Sequence, residues 1–370
     1  MSTVFVSAGE PSGDAHAAAF VQALKGLVPG VKVEGFGGAR LAATGAQLIE
    51  RMEKLTVIGF VEVIAKIPAH WRLLKAMERR LAKGDVKLLV LVDYPGFHAR
   101  VAAMAKRLGV PVLYYIAPQL WAWHESRVKA MAKNVAHLAV ILPFEERFFR
   151  ERGVTTTFVG HPLLDRPPVE GDRAAVKARL GLDPARPVLG LFPGSRRQET
   201  ARLWPVFKGA ARLIVAERPD VQLLVAAASG SDYPDADGIS VVRDRPAECF
   251  AAADAALSKS GTTTLEAALA GAPQVIAYRM NALSYQMARR LVQVPHIGMV
   301  NLVAERRVAP EFVQHEARPE VLAAALRPLL VEGSPERTAQ LEGIAEVKRR
   351  LGGPGAARRA ADIARSFLAA

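Results

Sequence analysis

The stretch from Ala253 to Arg279 admits few folds. Ala255 to Ser258 is a short apolar run, and Gly261 permits a turn closed to bulkier residues. Thr262 to Ala270 reads as a helix, which Gly271-Ala-Pro273 stops before a second apolar run, Gln274 to Tyr278. Strand, tight turn, helix and strand in that order aim the helix N-terminus at the carboxyl edge of a parallel sheet. Its leading N–H groups suit a phosphate. Glu266 sits in the first turns of the same helix, where a carboxylate could accept hydrogen bonds from a ribose. Thr263-x-x-Glu266 also satisfies an ordinary capping box, and the stretch alone leaves both readings open.

With 370 residues, two domains of ordinary size are expected. No apolar run reaches the length of a bilayer span. Residues 1–8 lack a basic region followed by a long apolar core, so secretion is not expected. Cys249 is the only cysteine, which excludes an intramolecular disulfide and a cysteine-rich metal site. It reads as a small buried hydrophobe in an alanine-rich helix. The net charge of +13 favours an anionic partner, and nucleic acid, acidic lipid and sugar nucleotide all qualify. Against nucleic acid, the Lys and Arg are spread along the chain without a basic stripe interleaved with aromatics.

The chain opens with a strand, Thr3 to Ser7, the loop Ala8-Gly-Glu-Pro-Ser-Gly-Asp14, and a helix from about Ala15 to Leu27. That is the start of a doubly wound α/β fold. The loop is not G-x-G-x-x-G, so a dinucleotide fingerprint is absent. Glu10 and Asp14 stand where that fingerprint would place glycines. Asp14 is read as favouring the positive helix end, and Glu10, at the carboxyl end of the strand, as a substrate contact. Strand Lys32 to Phe36 and the turn Gly37-Gly38 lead to a second helix. From Val57 to Leu81, apolar residues alternate with Lys66, Arg72, Lys75, Arg79 and Arg80. An anionic bilayer surface explains this pattern, and an amphipathic core helix explains it as well.

Lys87 to Val92 is an almost continuous apolar run, the mark of a central parallel strand, and Asp93 ends it. Open α/β sheets bind their ligands at that end. A carboxylate there could remove a proton from a hydroxyl, or act as a helix cap or structural ion pair. Strands Val110 to Ile116, Leu138 to Leu142 and Thr156 to Val159, with a helix Phe144 to Arg152, complete the first half. Trp121, Trp123 and His124 between them read as packing. The segment from Gly160 to Gly171 reads as a linker.

Beyond it the α/β rhythm restarts. Strand Pro187 to Phe192 feeds Pro193-Gly-Ser-Arg-Arg-Gln-Glu199 and a long helix. Gly194 and Ser195 offer donors, and Arg196 adds a fork for phosphate oxygens. Ser195-x-x-Gln198 also satisfies a capping box. Two such turns on two strands of one sheet would converge on a diphosphate. Strand Val221 to Ala226 follows. Asp235-Ala-Asp237, which has an Asp-x-Asp metal-binding pattern, lies among Pro, Gly and Ser and reads as a solvated loop. Helices are expected to dominate after Ala282, ending in a basic one from Gly355 to Leu368.

Taken in order, a set of segments resembles the lipid A disaccharide synthase family along nearly the whole chain. These are Gly9-Glu-Pro-Ser-Gly-Asp14, Val92-Asp-Tyr-Pro95, Ala117-Pro-Gln-Leu-Trp-Ala-Trp123, Leu142-Pro-Phe-Glu145 and Val159-Gly-His-Pro162. Pro193-Gly-Ser-Arg196, Ser260-Gly-Thr262 with Glu266, and Tyr278-Arg-Met280 continue it. The resemblance implies a GT-B fold, two Rossmann-like domains facing across a cleft. Residues 1–165 would take the acceptor and face the membrane, and residues 166–351 would bind the UDP-sugar. A helix over about 352–370 would pack back on the first domain. The implied reaction is inverting and independent of metal or cofactor. It joins UDP-2,3-diacylglucosamine to 2,3-diacylglucosamine 1-phosphate (lipid X) through a β-1,6 bond, at the cytoplasmic face of the inner membrane.

The same resemblance makes Asp93 the general base, Arg196 a contact of the diphosphate, and Glu10 an acidic residue of the first loop. Glu266 would hold the ribose. Gly194, Ser195, Ser260, Gly261 and Thr262 would line the nucleotide, and Asn301 would belong to a later substrate-contacting stretch. It also draws Val57 to Leu81 towards membrane and acyl-chain contact. Two departures touch the acceptor side. The family pattern Asp-x-Pro-Asp-Phe-Asn is here Asp93-Tyr-Pro-Gly-Phe-His98, and its Pro-Asn is Val300-Asn301. A glycosyltransferase with another acceptor, or a UDP-sugar epimerase on the same scaffold, is the nearest alternative. A basic protein that merely binds nucleic acid or anionic lipid is the remote one. It would leave the two phosphate-suited turns without a purpose.

Overall fold

The computed structural model describes residues 2–52, 67–123, 125–228, 230–281, 285–286 and 294–369. The chain divides into two compact units, Met1–Arg166 with Leu351–Ala370, and Pro167–Arg350. Residues 57–66 of the basic apolar segment, and His124, lie outside the described residues.

The first unit is built on a seven-stranded sheet. Its strands are β1 Thr3–Ala8, β2 Lys32–Gly37, β3 Gln47–Arg51, β4 Val86–Val92, β5 Val112–Tyr115, β6 His137–Val140 and β7 Thr156–Phe158. They lie in the order β3-β2-β1-β4-β5-β6-β7 and every pairing is parallel. The period-2 alternation of β4 fills a layer on each face. Leu89 and Leu91 join one cluster with Phe5, Met77 and Val101, whereas Leu88, Val90 and Val92 join another with Phe20, Leu24 and Ala361. Both faces are covered, which is why β4 reads as a continuous apolar run.

The second unit repeats the arrangement with six strands: β8 Val188–Phe192, β9 Gln222–Ala227, β10 Ile239–Arg243, β11 Ala255–Lys259, β12 Gln274–Tyr278 and β13 Glu311–Val313. Their order is β10-β9-β8-β11-β12-β13, again all parallel. Both sheets thus have a doubly wound order with one reversal point, β1/β4 in the first and β8/β11 in the second.

Three strands escape the sequence pattern: β3, β10 and β13. All three are edge strands. An edge strand is covered on one side at most, and these carry alternating or partial burial with no continuous apolar run. The first helix spans Pro11–Leu27, four residues earlier than the apolar period indicates. Pro11 has no N–H to lose and a φ already suited to the first helical position, so most of the expected loop is helix. Asp14 therefore lies inside this helix and serves a different one. Its carboxylate is 3% exposed and accepts the backbone N–H groups of Gly38, Arg40 and Leu41, at 2.7, 3.0 and 3.2 Å. It caps the short helix Ala39–Ala43 from a distance. Asp14→Ala leaves those donors without an acceptor and is expected to cost about 1–3 kcal/mol. A urea titration checks this, and an unchanged midpoint would refute it.

Cys249 is fully buried in the helix Pro246–Ala252. Asp235 lies in a turn and pairs with Lys208 at 2.8 Å. The C-terminal helix, Ala356–Ala369, packs Ala360, Ala361 and Ala364 into the first unit's core. Asp165 accepts the N–H groups of Gly355, Ala356 and Ala357 at its start.

Candidate active site

In the first unit, the loops that follow β1 and β4 sit at the reversal point of the sheet, the usual ligand position in such folds. Glu10 follows β1 and precedes the Pro11–Leu27 helix, partly exposed. Asp93 and Tyr94 follow β4. Both have left-handed backbones, with φ of 53° and 56°, before Pro95 starts the helix Pro95–Arg107. Each such residue costs about 1–2 kcal/mol, so two in succession must be held by their surroundings. The two loops also touch. A Cβ on Gly9 would lie 2.2 Å from the Tyr94 ring, and only glycine lets that ring rest on the β1 loop.

The Asp93 carbonyl oxygen receives the Tyr114 hydroxyl at 2.8 Å and the Nδ1 of His98 at 2.5 Å. His98 is fully buried, and its Nε2 lies 2.8 Å from the Ser7 hydroxyl. Burial pushes its pKa down to about 4, so the ring is neutral near pH 7. The Asp93 carboxyl moves the other way, up to about 6. Burial is the main cause, the negative charge of Glu10 adds to it, and a hydrogen bond from the Tyr94 backbone opposes both. A carboxylate ionised at neutral pH yet more basic than usual suits proton removal. Tyr94, not Asp93, is the N-cap residue of the following helix, and among the described residues the Asp93 carboxyl has no ion-pair partner. The helix-cap and ion-pair readings of Asp93 therefore fall away.

His98 and Gly96 now have separate explanations. His98 supports the Asp93 backbone from inside the core. Gly96 is exposed, with open space where a side chain would stand. Two more of the sequence segments are tied together nearby. Trp121 donates its indole N–H to the buried Glu145 at 2.9 Å, and Glu145 also accepts the Leu142 N–H at 3.1 Å. Burial pushes the Glu145 carboxyl up to about 7. Trp121 is thus packing with one polar anchor.

In the second unit, the turns after β8 and β11 flank the other reversal point. Gly194 and Gly261 have φ of 111° and 120°, which the turns require of glycine. Neither helix that follows has a side-chain cap. Arg196 is the N-cap residue of Arg197–Glu217 and Gly261 that of Thr262–Leu269, each without a side-chain cap hydrogen bond. The capping-box readings at Ser195 and Thr263 are therefore not realised. Two helix N-termini with their dipoles open to an anion remain. Ser195 and Thr262 are exposed beside them. Ser260 donates its hydroxyl to Ile297 O at 2.6 Å. Glu266 lies one turn further on and is partly exposed.

Arg196 is 74% exposed, and its guanidinium is 3.5 Å from Glu199. Glu199 also faces Lys259, whose ammonium is 3.1 Å from Oε2 in an ion pair off the hydrogen-bonding line. Lys259, the last residue of β11, went unnoticed in the sequence. Two cations share one carboxylate here, which leaves a net positive charge between the two turns. The signal available was a lysine directly before Ser260-Gly261 at the end of a buried strand.

Asn301 is placed differently from the expectation of substrate contact. It is fully buried in the helix Met299–Ala304. Its amide N–H groups go to Ala309 O and Glu311 at 2.8 and 2.7 Å, and its oxygen accepts the N–H groups of Val308 and Ala309. Glu311 in turn accepts the N–H groups of Ile297 and Gly298. With its hydrogen-bonding capacity used internally, Asn301 supports the Ile297-Gly298 segment, on which Ser260 leans, instead of meeting a substrate.

A family model described as Lipid-A-disaccharide synthetase matches residues 4–364. Proteins named lipid-A-disaccharide synthase from Trichlorobacter lovleyi and Geobacter metallireducens are each 41% identical over 99% of this chain and 97% of their own. The one from Myxococcus xanthus is 40% identical over the same shares. Among solved structures, a Staphylococcus aureus MnaA–UDP complex superposes with a TM-score of 0.66 at 11% identity, covering 100% of this chain and 97% of that one. Acinetobacter baumannii MurG superposes with a TM-score of 0.61 at 15% identity, covering 98% and 99%. At these identities the superpositions establish the fold, which is GT-B.

Proposed function

We propose a division of labour for this chain, which belongs to the lipid-A-disaccharide synthase family: the first unit takes the lipid acceptor and supplies the base, and the second holds the UDP-sugar donor. The protein is a glycosyltransferase that forms the lipid A disaccharide. Its substrates are a UDP-sugar and a lipid acceptor. In the finer reading they are UDP-2,3-diacylglucosamine and 2,3-diacylglucosamine 1-phosphate. Asp93 takes the proton from the acceptor 6-hydroxyl, whose oxygen attacks C1 of the donor sugar. The bond from C1 to the diphosphate breaks, and UDP leaves with the electron pair.

The observation that carries this reading is the half-buried Asp93 carboxyl, raised to about 6 at the sheet's reversal point and without an ion pair among the described residues. Glu10 contributes charge that keeps Asp93 basic, and borders the acceptor. In the second unit, charge growing on the departing diphosphate is met by Arg196, Lys259 and the helix ends behind Gly194-Ser195 and Gly261-Thr262. Glu266 holds the ribose.

The reading extends to the membrane. In the helix Ile67–Leu81, Leu73, Met77 and Leu81 are buried, while Ile67 and Trp71 are 47% and 54% exposed beside Arg72, Lys75 and Arg79. An apolar and basic exposed face of this kind suits the cytoplasmic surface of an anionic inner membrane. Among the described residues no helix is long and apolar enough to cross a membrane.

The test is turnover in detergent micelles with both substrates, following UDP release and product mass. A disaccharide 1-phosphate appearing in step with UDP is expected. UDP binding without disaccharide would overturn the acceptor assignment and turn attention to Gly96. Sedimentation with vesicles should retain the protein on anionic but not zwitterionic lipid, and equal retention on both would overturn the surface reading.

A further inference from the structure

We propose that His98 is a positioning residue that holds Asp93 in its reactive conformation through the Asp93 backbone carbonyl. The inference rests on the reading of Asp93 as the base. A carbonyl oxygen only accepts hydrogen bonds, so the ring nitrogen facing it, Nδ1 at 2.5 Å, carries the proton. The ring is neutral, so Nε2 is bare and accepts the Ser7 hydroxyl at 2.8 Å. The Asp93 carbonyl thus sets the tautomer, and the Ser7 hydroxyl, able to donate or accept, holds the bare nitrogen in place. The Tyr114 hydroxyl, donating to the same oxygen at 2.8 Å, completes a two-donor clamp.

The three supports come from three elements. Ser7 belongs to β1, Tyr114 to β5, and His98 to the helix that Asp93 and Tyr94 introduce. Asp93 and Tyr94 sit at φ of 53° and 56°, a conformation that relaxes unless its carbonyl is held. Around the site the titratable groups are Glu10 on the β1 loop, Tyr94 beside Asp93, Tyr114 on β5, His98 itself, and His70 on the helix Ile67–Leu81, whose Nε2 lies 2.5 Å from the Tyr94 hydroxyl. The Asp93 carboxyl itself is set by burial, by the charge of Glu10 and by the Tyr94 backbone. The carboxyl group therefore stays basic only while the backbone keeps it in this partly buried place.

Two side chains separate the clamp from its packing. Asparagine places an amide N–H where Nδ1 stands, retaining the bond to Asp93 while losing the one to Ser7. Glutamine reaches to the place of Nε2, retaining Ser7 while losing Asp93. The experiment compares His98→Asn, His98→Gln and Asp93→Asn in the full chain, using kcat, KM for each substrate and the pH profile of kcat/KM. His98→Gln should lose roughly 10²-fold in kcat, the scale of a misplaced catalytic group, with the KM for the UDP-sugar unchanged. Its acid limb should move below pH 6 as the carboxyl is released to solvent. His98→Asn should recover most of that loss. Adding His98→Gln to Asp93→Asn should cost little more, because both act on one function.

Equal turnover in the Asn and Gln variants, or a Gln profile whose acid limb stays in place, would overturn the proposal. Thermal melts and UDP binding show whether each variant is folded. Normal turnover in Asp93→Asn would instead remove the base assignment itself, so the two failures are distinguishable.

Discussion

Asp93→Asn is expected to lower kcat by about 10²–10⁴-fold, the range for removal of a general base, while raising stability. The second effect follows from the sign of the pKa shift. The Asp93 carboxyl rises from 3.8 to about 6 in the fold. Between these values the native state holds a proton that the unfolded chain has released, so stability declines as pH rises through this window. Above pH 6 the full penalty for an ionised, partly buried carboxylate applies. Asparagine removes it, and on the order of 1–3 kcal/mol should return at pH 8. The wild-type kcat/KM should rise with pH to a plateau above about 6, as the base must be ionised to act. Paired measurements of turnover and thermal midpoint at pH 8 check both effects. An inactive variant with a lower midpoint would contradict the burial argument, and an active one would remove Asp93 from the reaction.

Arg196→Ala is expected to cost about 10²–10³-fold in kcat/KM, as does removal of one preorganised donor to developing negative charge. Stability should change by less than about 0.5 kcal/mol, since the side chain is 74% exposed and its contact with Glu199 at 3.5 Å is a surface pair. Arg196→Lys retains a charge but loses the planar fork, and should fall between the two. Initial rates over a donor concentration series, alongside a urea titration, make the comparison. Unaltered kcat/KM in the alanine variant would leave Lys259 and the helix ends as the whole of the anion site.

Much of the candidate site is legible in the sequence because the positions depend on local order. Glu10, Asp93, Ser195, Arg196, Ser260 and Gly261 each follow a buried strand directly, and a doubly wound sheet brings such positions to its carboxyl edge whatever the loop details. Lys259 was missed because a lysine ending a strand is an ordinary surface residue until its neighbours are known. Glu199 and the net charge between the turns exist only once the β8 and β11 loops lie side by side. Asn301 failed in the opposite direction. The family resemblance implied a substrate contact, whereas its four hydrogen bonds are to Val308, Ala309 and Glu311, in segments the sequence pattern did not resolve.

The alternation of apolar runs, glycine turns and helices is written into the chain, and two parallel sheets with anion-suited turns follow from it. Burial on both faces and backbone geometry at glycine are local demands, and local demands are legible in one dimension. What holds Asp93 emerges only in the fold. Ser7, His98 and Tyr114 converge on it from separate elements, and the pKa of its carboxyl is set by burial and by Glu10, a loop away. Electrostatics and hydrogen bonding act through space and fall off with distance. Their partners are chosen by strand order, which adjacency in sequence does not report.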